Sequence, residues 1–191
     1  MPKNILPEIK KRRSPIVFKN KKVEKDKILA MIEAARWAPS CFNNQPWNYV
    51  LVDQKAPNRK EVENALNFGN GWAKKAPYLI VVGGKPKNDC QSNNIDYYLY
   101  DTGQSVMSFA IEAVHQGLAV HQMAGWDGKK MKKAVGFPTG YNVIIVMGVG
   151  YRDDIKKIWD KLEQKIKDKL TAPRTRKKIE ENFFFGKYKK K

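Results

Sequence analysis

The sequence has few of the residues that would narrow its chemistry at once. Two cysteines among 191 residues, Cys41 and Cys90, make no disulfide framework, and a reduced cytoplasm is their natural setting. Its two histidines, His115 and His121, have no cysteine at ligand spacing, so no metal pattern is visible. No apolar run approaches the roughly 20 residues that span a bilayer; the best, residues 78–82 and 143–149, are strand-sized. Residues 1–13 are polar and basic with no apolar stretch, so no secretory leader is expected. No G-x-G-x-x-G follows a strand and no Walker sequence occurs, which removes both phosphate-loop fingerprints.

Acidic residues are also scarce. Lys and Arg number 37 against 19 Asp and Glu, a net charge of +18. The excess sits at the two ends, +7 over residues 1–27 and +8 over 151–191, leaving +3 between. A basic protein attracts polyanions, so nucleic acid is one partner class to weigh. Most of these charges are lysines scattered over polar faces, including Lys189, Lys190 and Lys191, and a solvated surface is the plainer reading. A nucleotide phosphate is the other anion such ends could meet.

What is present reads as one globular domain over residues 1–191, with 42% apolar and 11% aromatic residues. Residues 24–37 place Ile28, Met31, Ile32 and Ala35 on one helical stripe. A strand is predicted at 49–52, a short helix at 59–66, a glycine-rich break at 68–71 and a buried strand at 78–82. Residues 86–94 read as polar loop. The longest helix is predicted at 95–116, with Gly117 at its C-terminal cap. A short helix at 127–135, a buried strand at 142–147 and one amphipathic helix over 154–170 complete the order. Phe183, Phe184, Phe185 and Tyr188 then sit on a basic tail that needs a surface to cover, and a second subunit would supply one. Alternating helices and strands predict a layered mixed α/β domain, with a Rossmann-like or flavodoxin-like sheet left open by periodicity alone.

The most informative stretch follows the first long helix: Pro39, Ser40, Cys41, Phe42, Asn43, Asn44, Gln45, Pro46, Trp47. A residue before proline is pushed out of the helical region, so the helix stops there. Short hydroxyl and amide side chains on a proline-pinned loop suit a flat, heteroatom-edged ligand. The run A-P-S-C-F-N-N-Q-P-W resembles the A-P-S-S-x-N-x-Q-P-W signature of the nitroreductase family of flavin mononucleotide (FMN) enzymes. Arg12-Arg13-Ser14 resembles that family's R-R-S-x-R element. Residues 117–127 are similar to its G-L-x-x-x-x-x-x-G-F/W-D element, and Arg174-Thr175-Arg176-Lys177 to its C-terminal R-x-R-K/R-P-L. Four such elements in order cover most of the chain.

The resemblance implies an α+β fold with a mostly antiparallel sheet flanked by helices. It implies a homodimer with FMN at the interface and a C-terminal arm exchanged between subunits. Arg12 and Ser14, with Arg13 nearby, would hold the FMN phosphate, joined by Arg176 and Arg174; an arginine fork matches phosphate geometry. Pro39, Ser40, Cys41 and Asn43 would line the flavin from the other subunit, with Gln45 supporting that loop. The backbone of Met123, Ala124 and Gly125 would approach the isoalloxazine near N5, and Asn70 would touch its pyrimidine edge. No side chain would be catalytic, since the flavin carries the chemistry.

The implied activity is an FMN-dependent oxidoreductase. It would pass electrons from NADH or NADPH to a small acceptor, such as a nitroaromatic or quinone, in ping-pong fashion. Reductive dehalogenation and flavin cleavage are alternatives on the same scaffold, and residues 85–94 look short for a substrate lid. A basic nucleic-acid-binding protein is the alternative of another class. Three departures stand out: Ile16 replaces the last arginine of R-R-S-x-R, Ala124 stands where several relatives carry glutamate, and the tail lacks its proline. Beside these, Cys41 reads as a small buried filler and Asp101 and Glu112 as ordinary helix positions. Trp47, Trp126 and Trp159 read as core or interface residues.

Overall fold

A computed structural model describes residues 4–188, with the side chains of Lys165 and Lys169 left aside; the lysines at 189–191 lie outside the described residues. The described chain forms two compact units, one ending at Asp154 and the other beginning at Ile155. In the first unit, four strands make one sheet in the order β1-β2-β6-β5: β1 Asn48–Asp53, β2 Tyr78–Gly84, β6 Asn142–Gly150 and β5 Ala119–Met123. All three pairings are antiparallel. The parallel, doubly wound alternatives are therefore excluded, because every pair of neighbouring strands runs in opposite directions.

The apolar runs of β2 and β6 follow from burial on both faces. Ile80 and Val82 meet Met147 and Val149 on one side, beneath helices α2 (Lys25–Arg36) and α4 (Tyr97–His115). Leu79 and Val81 meet Val146 on the other, beneath α3 (Arg59–Asn64) and α5 (Gly128–Val135). Alternate residues point to opposite faces, so a strand covered twice has no position left for a polar side chain. Burying each such side chain stabilises the fold by roughly 1.5–3 kcal/mol. Helix α2 presents Ile28, Met31 and Ala35 to α4, as its periodicity predicts. Helix α4 ends with Gln116 as its cap and Gly117 at φ 75°, the left-handed position predicted for glycine.

Three expectations shift. The long helix begins at Tyr97, because Ile95–Asp96 pairs with Gln91–Ser92 in a two-stranded hairpin, β3–β4, turned by Asn93 and Asn94 at φ 52° and 60°. Asn-Asn tolerates the left-handed conformation that such a turn requires. The helix predicted over 154–170 is two pieces, a 3₁₀ turn at Ile155–Lys161 and α6 at Gln164–Thr171. Helices this short depend on packing, and no described residue of this second unit is fully buried. The two cysteines, read as unpaired, are joined as a disulfide.

Arg59 ties the sheet to the segment carrying Asn70. It is only 6% exposed, and its guanidinium donates to the carbonyls of Val52, Lys74 and Ala76 at 2.9–3.1 Å and to Glu63 at 2.7 Å. Arg59→Met strands these acceptors. It should lower unfolding stability by about 3 kcal/mol, the usual cost of breaking a buried ion pair from one side. Urea denaturation checks this, and an unchanged midpoint would contradict the assignment.

Candidate functional site

Two groups of the predicted residues come together in the first unit, at opposite edges of the sheet. The first group is built around β5. Before β5 in sequence, α1 (Pro7–Lys11) leads into Arg12, whose Nη1 donates to Ser14 Oγ at 3.3 Å. The segment is pinned where the Pro15 carbonyl lies 2.9 Å from His121 Nδ1, which fixes that nitrogen as the protonated one. His121 also stacks on Trp72 with ring centroids 4.3 Å apart. Two residues further, β5 ends at Met123, which is buried; Ala124 is exposed and Gly125 half-exposed.

Gly125 is clasped from the side. Its carbonyl accepts the Asn70 amide at 2.7 Å and the Asn67 N–H at 3.1 Å. A Cβ added at Gly125 would lie 2.8 Å from Asn70 Nδ2, so only glycine lets the amide close on the backbone. Sequence reasoning placed Asn70 on a flavin edge; the structure gives it at least this bond. Trp72, which lies between Asn70 and the Arg12 segment, was missed. Its signal was a lone tryptophan beside a glycine-rich break.

The second group is the loop after α2, at the β1 edge. Ser40 is extended, and Cys41–Asn43 form a 3₁₀ turn with Phe42 at φ 46° and Asn43 at φ 58°; Gln45 follows at φ 47°. Non-glycine residues in the left-handed region cost about 1–2 kcal/mol each. Several tethers hold them there. Ser40 Oγ accepts the Gln45 N–H at 3.0 Å, and Asp101 Oδ2 accepts the Cys41 N–H at 2.6 Å. Asn44 Nδ2 donates to Asp89 Oδ1 at 3.2 Å. Gln45 Nε2 donates to the Asn43 side-chain and backbone oxygens. A Cβ at Gly84 would sit 2.9 Å from the Pro46 carbonyl, so a bare β2 end lets the loop's exit lie against it.

The covalent tether is Cys41–Cys90, bridging a sequence separation of 49. The reading of Cys41 as a small filler is thus corrected. The cause is spatial: the turn after β2 returns over the start of α4 beside the loop. Cys41, Asp89 and Cys90 keep their ligand atoms within 4.8 Å of one another, a grouping invisible in the spacing, although here the sulfurs are bonded to each other. Asp101, read as an ordinary helix position, is instead 2% exposed. Burial pushes its carboxyl above the usual carboxylate range; the Cys41 N–H pulls back, and neighbouring Asp89 pushes up again. Asp89 Oδ2 is buried without a partner among the described residues, and a proton retained on Asp101 is suited to face it. Asp101 lies on the buried face of α4 with Tyr98, Phe109 and the small hydroxyl residues Thr102 and Ser105, so no apolar stripe in the sequence marked it.

Within one copy the two groups stay apart. Both lie toward the same end of the sheet, but β1 and β5 are separated by three strand spacings, roughly 14 Å. Arg13 is exposed. Arg174 and Arg176 belong to the second unit, where Arg176 Nη1 donates to the Thr175 carbonyl at 2.7 Å.

Residues 9–151 match the model of the nitroreductase family. The chain belongs to that family. The match stops before the tail arginines. A "Putative NADH dehydrogenase/NAD(P)H nitroreductase" of Archaeoglobus fulgidus is 26% identical over 153 residues, 78% of this chain and 86% of that protein. An iodotyrosine deiodinase of Thermotoga neapolitana is 22% identical over 170 residues, 77% and 88% of the two chains. Among solved structures, an oxidoreductase containing FMN superposes with a TM-score of 0.85 at 25% identity, over 100% of this chain and 96% of that one. The α+β architecture with an antiparallel sheet is that of this family.

His121 makes the first group sensitive to pH. Burial holds its pKa below the ordinary 6.5, and the Arg12 charge adds to this against the Pro15 carbonyl. A depressed histidine pKa favours the neutral ring in the folded state. Its contribution is present above 6.5 and is lost as pH falls below 6.5 toward the folded value. Stability of the wild type should therefore fall more steeply than that of His121→Phe between about pH 7 and pH 5. Parallel pH profiles of the denaturation midpoint would contradict this.

Proposed function

We propose that this nitroreductase-family protein is an FMN-dependent oxidoreductase that takes electrons from NADH or NADPH and delivers them to a small acceptor, such as a nitroaromatic or quinone. The donors present fit FMN. Arg12 and the Ser14 hydroxyl suit its phosphate. The exposed backbone at Ala124, beside a glycine clasped by Asn70, suits a flat ring laid against the chain. The polar loop supplies hydroxyl and amide groups. FMN, when bound, supplies hydride acceptance and release. The protein's own part is to hold it: Arg12 and Ser14 at the phosphate, with Arg13 adding charge, and residues 123–125 and Asn70 at the ring. No protein acid or base is needed, so donor and acceptor take turns at one place.

The observation that carries this reading is the separation of the two groups. Loop residues Pro39, Ser40, Cys41 and Asn43 complete the site of a second copy, making a homodimer with two equivalent sites. Helix α4 offers the seam. Leu99, Tyr100 and Met107 are 48%, 62% and 41% exposed, and Gly103 has no atom within 4 Å of its Cβ position. The aromatic arm of the second unit, with Phe183, Phe185 and Tyr188 exposed, is a further apolar surface that a second copy could cover. Among the described residues no helix is long and apolar enough to cross a membrane, and we place the enzyme in the cytoplasm, where reduced nicotinamides are available. Reductive dehalogenation is the second reading, kept by the deiodinase relative; the short, tethered hairpin at 91–96 leaves little chain for a lid.

The purified protein should be yellow and bleach under anaerobic reduced nicotinamide. A colourless protein that binds oligonucleotides in a salt-sensitive way would contradict the reading. Arg12→Ala should weaken FMN binding about tenfold to a hundredfold, the worth of a hydrogen bond to a charged group. The same substitution at Arg176 tests the tail. Gly103→Arg should fold normally, since the position is open and arginine is the better helix former, by about 0.8 kcal/mol. It should sediment as a monomer without FMN; a yellow monomer would overturn the shared site.

A further inference from the structure

The Cys41–Cys90 disulfide stands apart from the cofactor chemistry. It joins the strained loop to the turn between β2 and the β3–β4 hairpin, and both cysteines are half-buried between exposed neighbours, Phe42 on one side and Gln91 on the other. In a single copy, then, neither cysteine is fully enclosed. Disulfides of cytoplasmic proteins are mostly transient, serving catalysis or redox sensing. The other tethers are few. On the Cys41 side they are one N–H to Asp101 and the Asn44 amide to Asp89 and the Cys90 sulfur; within the loop, Ser40 accepts the Gln45 N–H and the Gln45 amide donates to Asn43. Against them stand three non-glycine residues in the left-handed region, Phe42, Asn43 and Gln45. A loop held in a costly conformation by one covalent bond and a few hydrogen bonds relaxes when that bond is cut.

We propose that Cys41 and Cys90 form a reversible thiol–disulfide site that reads cellular dithiols and sets the shape of the 40–45 loop, and with it FMN affinity. The part about FMN rests on the proposed function and the choice of a cellular dithiol on its cytoplasmic placement; the disulfide and its thiol count rest on neither. In the reductive direction, a thiolate of the dithiol attacks one sulfur, the Cys41–Cys90 bond breaks, and a mixed disulfide forms. The second thiol of the reductant then displaces the cysteine. The reductant leaves as a cyclic disulfide, and two electrons and two protons have passed to Cys41 and Cys90. Oxidised glutathione or another small disulfide reverses the exchange. Asp89 and Asp101 stay beside the sulfurs in both states, so the open loop loses one covalent restraint while its carboxylate anchors remain.

The test uses the full-length protein purified without reductant, with a chelator throughout because Cys41, Cys90 and Asp89 together form a metal-donor set once reduced. Thiol titration and intact mass should give no free thiol before treatment and two after dithiothreitol, with a gain of about 2 Da. Oxidised glutathione should reverse this. Chymotrypsin cleavage after Phe42 should speed up at least fivefold on reduction, and Cys41→Ser/Cys90→Ser should match the reduced wild type. FMN affinity, measured by quenching of flavin fluorescence, should fall about tenfold in both the reduced protein and the double variant. Two thiols that oxidised glutathione cannot close, or cleavage and FMN affinity equal in both states, would overturn the proposal. Protein that binds no FMN in either state refutes the cofactor reading, while thiol count and Phe42 cleavage still decide the switch.

Discussion

Burial of β2 and β6 on both faces is the constraint from which the rest follows. Once residues 79–82 and 146–149 are enclosed by α2 and α4 on one side and α3 and α5 on the other, polar function has no place at the sheet's centre. It is driven to the edges. At the β5 edge the chain leaves the sheet at Met123 into exposed backbone; at the β1 edge it enters at Asn48 from the polar loop. Antiparallel pairing brings both points to one end, yet the two central strands keep them apart. A single copy thus carries two separated groups, which the proposed dimer would join into one site.

The two groups are held by unlike means. The β5 group is positioned by packing and neutral hydrogen bonds: Trp72 on His121, His121 on the Pro15 carbonyl, Asn70 on Gly125. The loop group is positioned against backbone preference, by a disulfide and the Asp89–Asp101 pair. The first is held by contacts among half-buried groups, none of them in the left-handed region. The second is conditional on its tethers, which is where control by thiol chemistry would act.

Much of this was legible in the residues. Periodicity located α2, β1, β2, α5 and β6 nearly to their ends, because a two-faced core leaves its pattern in the chain. The family motifs gave antiparallel pairing that periodicity could not, since a buried strand looks alike in parallel and antiparallel sheets. The break at Leu162–Glu163 was not legible: the apolar spacing of Ile155, Ile158, Trp159, Leu162 and Ile166 is helical, but without burial it does not enforce one helix. Nor was the Cys41–Cys90 bond, which depends on where the turn after β2 returns in space. Asp101 was hidden for the same reason, its role fixed by a backbone N–H 60 positions away.

Mixed dimers test the two-copy claim most directly. One copy carries Ser40→Trp/Asn43→Trp in the loop, and the other carries Arg12→Ala/Gly125→Trp at the β5 edge; each homodimer should bind no FMN. If every pocket draws its loop from one copy and its β5 edge from the other, the heterodimer concentrates all defects in one pocket, and the other should bind a single FMN per dimer. A heterodimer as empty as its parents would mean that each chain completes its own pocket.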